Sequence, residues 1–445
     1  MSSPDDGSAA DFRFAAHELW DPLEQICAVG CRYVGSEGDR AIRSYLSAAF
    51  ADAGLSNVRQ EPVDVFIYEP ECSRVSVGGA EFDGVGLQFT ASALVDAPAI
   101  YLGEVNSEAE LRASLARSAR IDGHVVVVRS YFPFLIVHDL IEQGAVGVVN
   151  LSLADGGHLG HYTAAMYPCP PAPEFAGRPL HIPGVTLSAE DGRQLESLLD
   201  GKSSVTVRIE HRAHYRKGQS ANVVGEVEGT SQASGHIILG AHHDTQLEGI
   251  GACDNGTGLA TLLAAARRWA MLPTRRTAVF VAFADEEHGL YGATDYCKRH
   301  LAELEGAAVM FNLDAVAWRA DASLRLEADP AVREFLTRRL TDRGWSAEHA
   351  DPSAVPGADH VPFIDSGVPG VWLWRYPPQH PCFHTSGDRL ELIDPELFAD
   401  TASCAIDLAR TAADHSGGFD RARPSRRWAA SFSEQPDLSG NGSPA

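Results

Sequence analysis

Residues 15–55 alternate apolar and polar positions at helical spacing. Leu19, Leu23, Ile26, Cys27 and Val29 share one face and predict a first helix; Ile42, Tyr45, Leu46, Ala49 and Phe50 predict a second, closed by Gly54. Residues 58–68 then read as a strand. Between 70 and 212 the rhythm changes to short strands and turns, with strands expected at 75–77, 99–102 and 125–128 and a helical stretch at 138–143. A turn into a buried strand follows at 144–150. A Pro-rich loop at 167–173 precedes a strand at 182–187 and an amphipathic helix around 192–199. From 220 the alternation is regular: strands at 222–227, 236–241, 278–284, 309–316 and 371–374, helices at 257–271, 290–304 and 331–343. Strands interleaved with helices of this length predict an α/β fold with a largely parallel sheet. Beyond 417, Arg, Ser, Pro and Gly dominate and predict disorder, as does the polar start at 1–14.

Five segments of the second half end apolar runs with histidines and acids. They are Gly240-Ala241-His242-His243-Asp244, Gly251-Ala252-Cys253-Asp254-Asn255-Gly256, Ala284-Asp285-Glu286-Glu287-His288-Gly289, Asn312-Leu313-Asp314 and Phe383-His384-Thr385. Open α/β sheets build their sites where strands give out into loops. Imidazole nitrogen and carboxylate oxygen are the ligands that borderline divalent cations such as Zn²⁺ accept. His242 and Asp244, two apart at a strand end, point to one side of the sheet, so the carboxylate can orient the imidazole. Asp254 sits in a glycine-rich turn that can present its carboxylate to two ions. Of the adjacent Glu286 and Glu287, one can ligate while the other handles protons. Taken singly, each residue reads as a cap, a turn residue or a solvated charge; the pattern of five points to a two-metal hydrolase.

Competing motifs are incomplete. His17-Glu18-Leu19-Trp20-Asp21 opens like a zinc-protease helix but lacks the second histidine, and neither a G-x-S-x-G elbow nor a Walker loop is present. The nearest dinucleotide fingerprint, Gly249-Ile250-Gly251-Ala252-Cys253-Asp254, places an acid where a pyrophosphate would lie.

Composition narrows the partners. The 445 residues carry a formal net charge of −24, which disfavours nucleic acid and anionic membrane surfaces. Lys202, Lys217 and Lys298 are the lysines, leaving few candidates for Schiff-base chemistry. The eight cysteines form no C-x-x-C pair, and Cys27 and Cys31 suit a packed helix face. The N-terminus lacks the basic and apolar regions of a signal peptide, and no apolar run approaches the roughly 20 residues of a membrane span. A cytoplasmic protein with reduced thiols is expected.

The five segments, in this order, resemble the dizinc exopeptidase family that includes bacterial leucyl-type aminopeptidases, glutamate carboxypeptidase II and glutaminyl cyclases. The resemblance covers about 220–410 and the helical start at 15–68. Residues 70–212 resemble the protease-associated domain that several members carry, judging by the segments 122–128, 144–149 and 182–187. It implies a mixed, mostly parallel sheet flanked by helices, a catalytic domain of 15–69 and 213–416, and a mainly β insertion at 70–212. It also implies two Zn²⁺ per chain. His242 and Asp314 would hold one ion, Glu287 and His384 the other; Asp254 would bridge them with its carboxylate, and its peptide bond to Asn255 would be cis. Asp244 would brace His242, and Glu286 would be the general base for a water shared by the ions. The family often has Tyr directly before the last histidine; here Phe383 offers no donor, so either Tyr376, His380 or Arg375 replaces it at the oxyanion, the expected case, or the metal acts there alone. The implied activity is an aminopeptidase on short peptides or amino-acid amides. Alternatives are an amidohydrolase on a non-peptide or N-blocked amide, a single-zinc aminoacyl cyclase, and a non-catalytic scaffold.

Overall fold

A computed structural model describes residues 13–117, 120–153, 155–164, 180–201, 204–231, 235–319, 322–350, 357–375, 382 and 384–423. Its strands in chain order are β1 (Ser56–Val77), β2 (Ala80–Asp83), β3 (Val85–Gly86), β4 (Ala93–Glu104), β5 (Val125–Arg129), β6 (Gly147–Leu151) and β7 (Gly184–Leu187). Then follow β8 (Thr206–Val227), β9 (His236–His242), β10 (Thr277–Phe283), β11 (Ala307–Asn312), β12 (Arg325–Ala328), β13 (Glu348–His349) and β14 (Gly370–Trp374). They hydrogen-bond in the order β13-β12-β14-β11-β9-β10-β8-β4-β5-β6-β7-β3, with β1 on β8 and β2 on β1.

The centre of the sheet is parallel: β9 pairs with β10 on one side and β11 on the other, and β11 pairs with β14. These strands are apolar on both faces, as strands covered by helices on both sides must be. Leu239, Phe280 and Phe311 pack with the helices Ala16–Ala28, Glu37–Asp52, Gly258–Met271 and Pro395–Asp414; Ile238, Val281 and Met310 pack with Tyr291–Arg299 and His360–Asp365. The chain leaves β9, returns beside it as β10, then crosses to β9's other edge as β11. The strand order therefore reverses at β9, which opens a crevice at the carboxyl ends of these strands.

β1 and β8 form an antiparallel ribbon from Ser56↔Glu226 to Ser76↔Arg208, with a register break at Pro70/Cys72. The boundaries at 70 and 212 thus fall inside two continuous strands, the first of them at an irregularity. β8 pairs with β10 at one end and β4 at the other, so one strand carries the sheet from the central parallel strands into the 70–212 segment. That segment runs β4, β5, β6 and β7 in parallel and includes helices Glu108–Arg117, Val137–Glu142 and Ala189–Leu199. It holds more helix than its short-strand rhythm predicts.

Several expectations need correction. The helix placed at 290–304 is shorter, Tyr291–Arg299, followed by a 3-10 turn at Glu303–Gly306. β11 stops at Asn312, so Asp314 lies on a loop. Cys31 is not on the first helix, which ends at Ala28 before Gly30 turns at φ +82°. Order also extends beyond the expected tails. Phe14 is buried and bonds Ser403, and Arg421 bonds the carbonyls of Leu304, Ala307 and Ser366. The Pro-rich loop 167–173 and Cys169 lie outside the described residues.

Candidate metal centre

His242 is the last residue of β9, and β10 gives out at Phe283 just before Asp285, Glu286 and Glu287. Asp314 follows β11 by two residues, Asp254 lies in the turn Ala252–Thr257, and His384 comes from the loop before Pro395–Asp414. The strand reversal at β9 therefore gathers side chains distant in sequence. His242 Nε2 lies 3.0 Å from Asp254 Oδ1 and 3.6 Å from Asp314 Oδ1. On the other side of Asp254, His384 Nε2 lies 3.7 Å from its Oδ2 and 2.8 Å from Glu287 Oε2. Two groups result, His242–Asp254–Asp314 and Asp254–Glu287–His384, each offering ligand atoms within 4.8 Å of one another. They share Asp254, one oxygen turned to each.

The donor chemistry suits divalent cations. Three carboxylates and two imidazoles converge in a buried site, and burial pushes Glu287 and Asp314 above the ordinary carboxylate range, Asp254 adding to both. Burial would lower His242 and His384, but the carboxylates around each pull it upward. Negative charge crowded at this density, with nitrogen and oxygen donors, fits Zn²⁺ or a similar ion.

The supporting contacts are specific. Asp244 Oδ1 lies 3.5 Å from His242 Nδ1, and its two oxygens accept the backbone N–H groups of Glu286 and Glu287 at 3.1 and 3.2 Å. Burial would raise its carboxyl, but His242 and His243 hold it well below the ordinary range, so it remains an anion. The Asp254–Asn255 peptide is cis. The Asn255 side chain donates to the Leu313 carbonyl at 2.9 Å and accepts from Ala315 N at 3.3 Å, bracketing Asp314. Asp388 accepts the N–H groups of Cys253 and Asp254 at 2.8 and 3.0 Å. Arg32, fully buried, donates to the carbonyls of His243, Ile250 and Gly251, fastening the loop between His242 and Asp254.

Glu286 is buried beside Glu287, and burial holds its carboxyl well above the usual range; His242 opposes the shift while Asp359 and Asp314 add to it. Asp359, which sequence reasoning passed over, is fully buried, and among the described residues neither carboxylate oxygen has a hydrogen-bond partner. Its position just before a short helix gave no signal. Of the residues expected to replace a tyrosine at 383, Tyr376 and His380 lie outside the described residues, as does Phe383. Arg375 is engaged elsewhere, donating to Thr401 Oγ1 and the Ala322 carbonyl. Trp372 and Trp374 are core residues, stacked at 4.0 Å, with Trp372 Nε1 donating to the Asp314 carbonyl. The ring of Tyr162, from the 70–212 segment, lies 6.0 Å from that of His384.

Comparison with known families matches residues 222–409 to Peptidase family M28. That stretch is similar to the M28 peptidases. The M28 segment spans β9 to the helix Pro395–Asp414 and so contains both ligand groups. Among curated relatives, aminopeptidase YwaD from Bacillus subtilis is 28% identical over 238 residues, 51% of this chain and 50% of YwaD. The probable lipoprotein aminopeptidase LpqL from Mycobacterium tuberculosis is 27% identical over 372 residues, 78% of this chain and 70% of LpqL. The chain thus spans about half the length of the first of these relatives. Among solved structures, a peptidase M28 precursor from Shewanella amazonensis superposes at TM-score 0.72 with 22% identity, covering 92% of this chain and 96% of that one. BSAP, a zinc aminopeptidase from Bacillus subtilis, superposes at 0.68 with 20% identity, covering 93% and 100%. The mixed, mostly parallel sheet is therefore the M28 fold over nearly the whole chain. No described helix is long and apolar enough to cross a membrane.

Proposed function

We propose that the chain is a zinc-dependent aminopeptidase holding two Zn²⁺, with His242 and Asp314 on one ion, Glu287 and His384 on the other, and Asp254 on both. The observation that carries this reading is the pair of ligand groups meeting at Asp254. When bound, zinc supplies Lewis acidity to the scissile carbonyl and the attacking water. Glu286 is the general base. It stands next to Glu287 without a place in either ligand group, and Asp244 fixes its backbone. Bound cations beside it would oppose the upward push of burial and keep it ionised, and its carboxylate would then take the proton of the attacking water and return it to the departing amine. The 70–212 segment is read as a protease-associated-like insertion, and the seven free cysteines among the described residues favour a reducing compartment.

Glu286→Gln keeps shape but cannot accept a proton, so hydrolysis should fall by roughly 10²–10⁴ with zinc content unchanged. Glu287→Gln and His384→Ala should each lose affinity for one ion, and Asp254→Ala should disturb both. Elemental analysis beside a substrate panel decides. Full zinc in Asp254→Ala removes the shared ligand. Zinc loss in Glu286→Gln with a loaded, inactive Glu287→Gln exchanges their roles. Preference for N-acylated over free-amine substrates replaces the aminopeptidase reading.

A further inference from the structure

Beyond Asp244, which lies against His242 and also accepts the Glu287 N–H, the two ligand groups are supported from different parts of the chain. His242 and Asp314 are held by Asp244 and Asn255, both within the M28 segment. Glu287 and His384 are tied to the 70–212 segment. The His161 N–H donates to the His384 carbonyl at 2.9 Å. Gln88, fully buried, donates from Nε2 to Gln246 Oε1 at 2.5 Å. Gln246 Nε2 reaches Glu287 Oε2 at 3.3 Å and the Glu287 carbonyl at 3.4 Å. Gln88 Oε1 in turn faces Tyr33 OH at 3.2 Å and His288 Nε2 at 2.8 Å.

The direction of this chain is fixed by chemistry. An ionised carboxylate and a carbonyl can only accept, so Gln246 must turn its amide nitrogen toward Glu287 and its oxygen toward Gln88. Gln88 must then donate to Gln246 and accept from Tyr33 and His288. Donors aligned head to tail polarise one another, and an unpaired member in so dry a place is costly. The backbone of Gln88 is itself held within its own segment, its N–H on the Tyr162 carbonyl at 3.0 Å and its carbonyl on Ala164 N at 2.9 Å. The oxygen that the relay reaches, Glu287 Oε2, is the one 2.8 Å from His384 Nε2.

We propose that Gln88 is a positioning residue for Glu287, acting through Gln246, so that the 70–212 segment sets the affinity of one of the two ions and leaves the other alone. This rests on the reading of Glu287 as a zinc ligand.

The test is titration of the chelator-stripped full chain with Zn²⁺ against a competing chelator, and with Co²⁺, whose visible spectrum reports ligand geometry. His384→Ala identifies the ion in question. Gln88→Leu should weaken that same ion by about 10–100-fold and alter its Co²⁺ bands, the other ion being unchanged. Gln88→Glu keeps the size and the acceptor but not the donor, and should do the same; it decides the matter if Gln88→Leu does not fold. Gln88→Leu combined with Gln246→Leu should be no weaker than the worse single change, because both interrupt one relay. Wild-type affinity for both ions in Gln88→Glu, or equal loss of both, overturns the proposal. A wild-type chain that takes up no ion at Glu287 defeats the functional reading and this inference together, whereas a loaded pair indifferent to Gln88 defeats the inference alone.

Discussion

His211 is a buried histidine whose Nδ1 meets Ser73 Oγ at 3.0 Å and whose ring stacks on Tyr68. Burial pushes its pKa down to about 4. The unfolded chain takes up a proton near pH 6.5 that the folded chain refuses until about pH 4. Stability from this residue is therefore complete above pH 6.5 and is lost as pH falls toward 4, by about 3 kcal/mol in all. Urea unfolding of His211→Asn should show a smaller decrease in stability between pH 7 and 5 than the wild type; equal decreases would sink the idea. At this scale the sequence was legible where chemistry recurs in a pattern. His242, Asp254, Glu287, Asp314 and His384 stood out because five segments ended alike. Asp388 did not, although it lies four residues past His384, because a single acid in a glycine loop looks like any turn residue. Gln88 could not have been read at all. It meets Gln246 across 158 residues, and nothing local marks a neutral amide as part of a metal site.

Strand ends and helix starts do the placing. Gly258 opens the helix Gly258–Met271 directly after the Asp254 turn, and a Cβ there would lie 2.0 Å from the Leu313 carbonyl oxygen and 2.2 Å from Asn255 Oδ1. Both are fixed atoms beside Asp314, so the helix cannot move away without moving that loop. Gly258→Ala should destabilise the fold by roughly 1–3 kcal/mol and loosen the ion proposed for His242 and Asp314, measured by denaturant unfolding and zinc titration. A variant as stable and as tightly loaded as the wild type would count against this packing. Elements with strong periods were legible, including β9, β10 and the helix at 258–271. The helix Pro395–Asp414 was not anticipated, despite Asp394 capping Glu396 and Leu397 and Pro395 at its first turn. Thirteen of its residues are buried, and Thr401, Ser403 and Asp407 among them put polar side chains on the inner face, which blurs the apolar stripe in the sequence. The site lay one step beyond what period can give: Asp314 was placed at a strand end, but the strand stops two residues earlier and Asn255 holds the loop.

Across the whole molecule, β1 and β8 run as continuous strands from the 220–410 half into the 70–212 segment, with only a register shift at Pro70/Cys72. A shared strand, and Glu287 and His384 tied by hydrogen bonds to the 70–212 segment, should make the chain unfold as one unit rather than as two domains. Calorimetry is expected to give a single transition with calorimetric and van't Hoff enthalpies in agreement; two resolved transitions would separate the halves. Domain limits drawn at 70 and 212 followed a change of rhythm in the sequence, which marks where packing partners change, not where the backbone hydrogen bonds stop.

The same ribbon sets a timetable for the nascent chain. Ser56 pairs with Glu226, and its hydroxyl donates to the Glu226 carbonyl 170 residues later. Translation at ordinary speed needs roughly 10–30 s to cover that distance. During that time β1 has left the ribosome without its partner, an edge of bare N–H and C=O groups awaiting a strand not yet made. The chain's first half is thus, for a while, a client for whatever in the cell shelters open β edges.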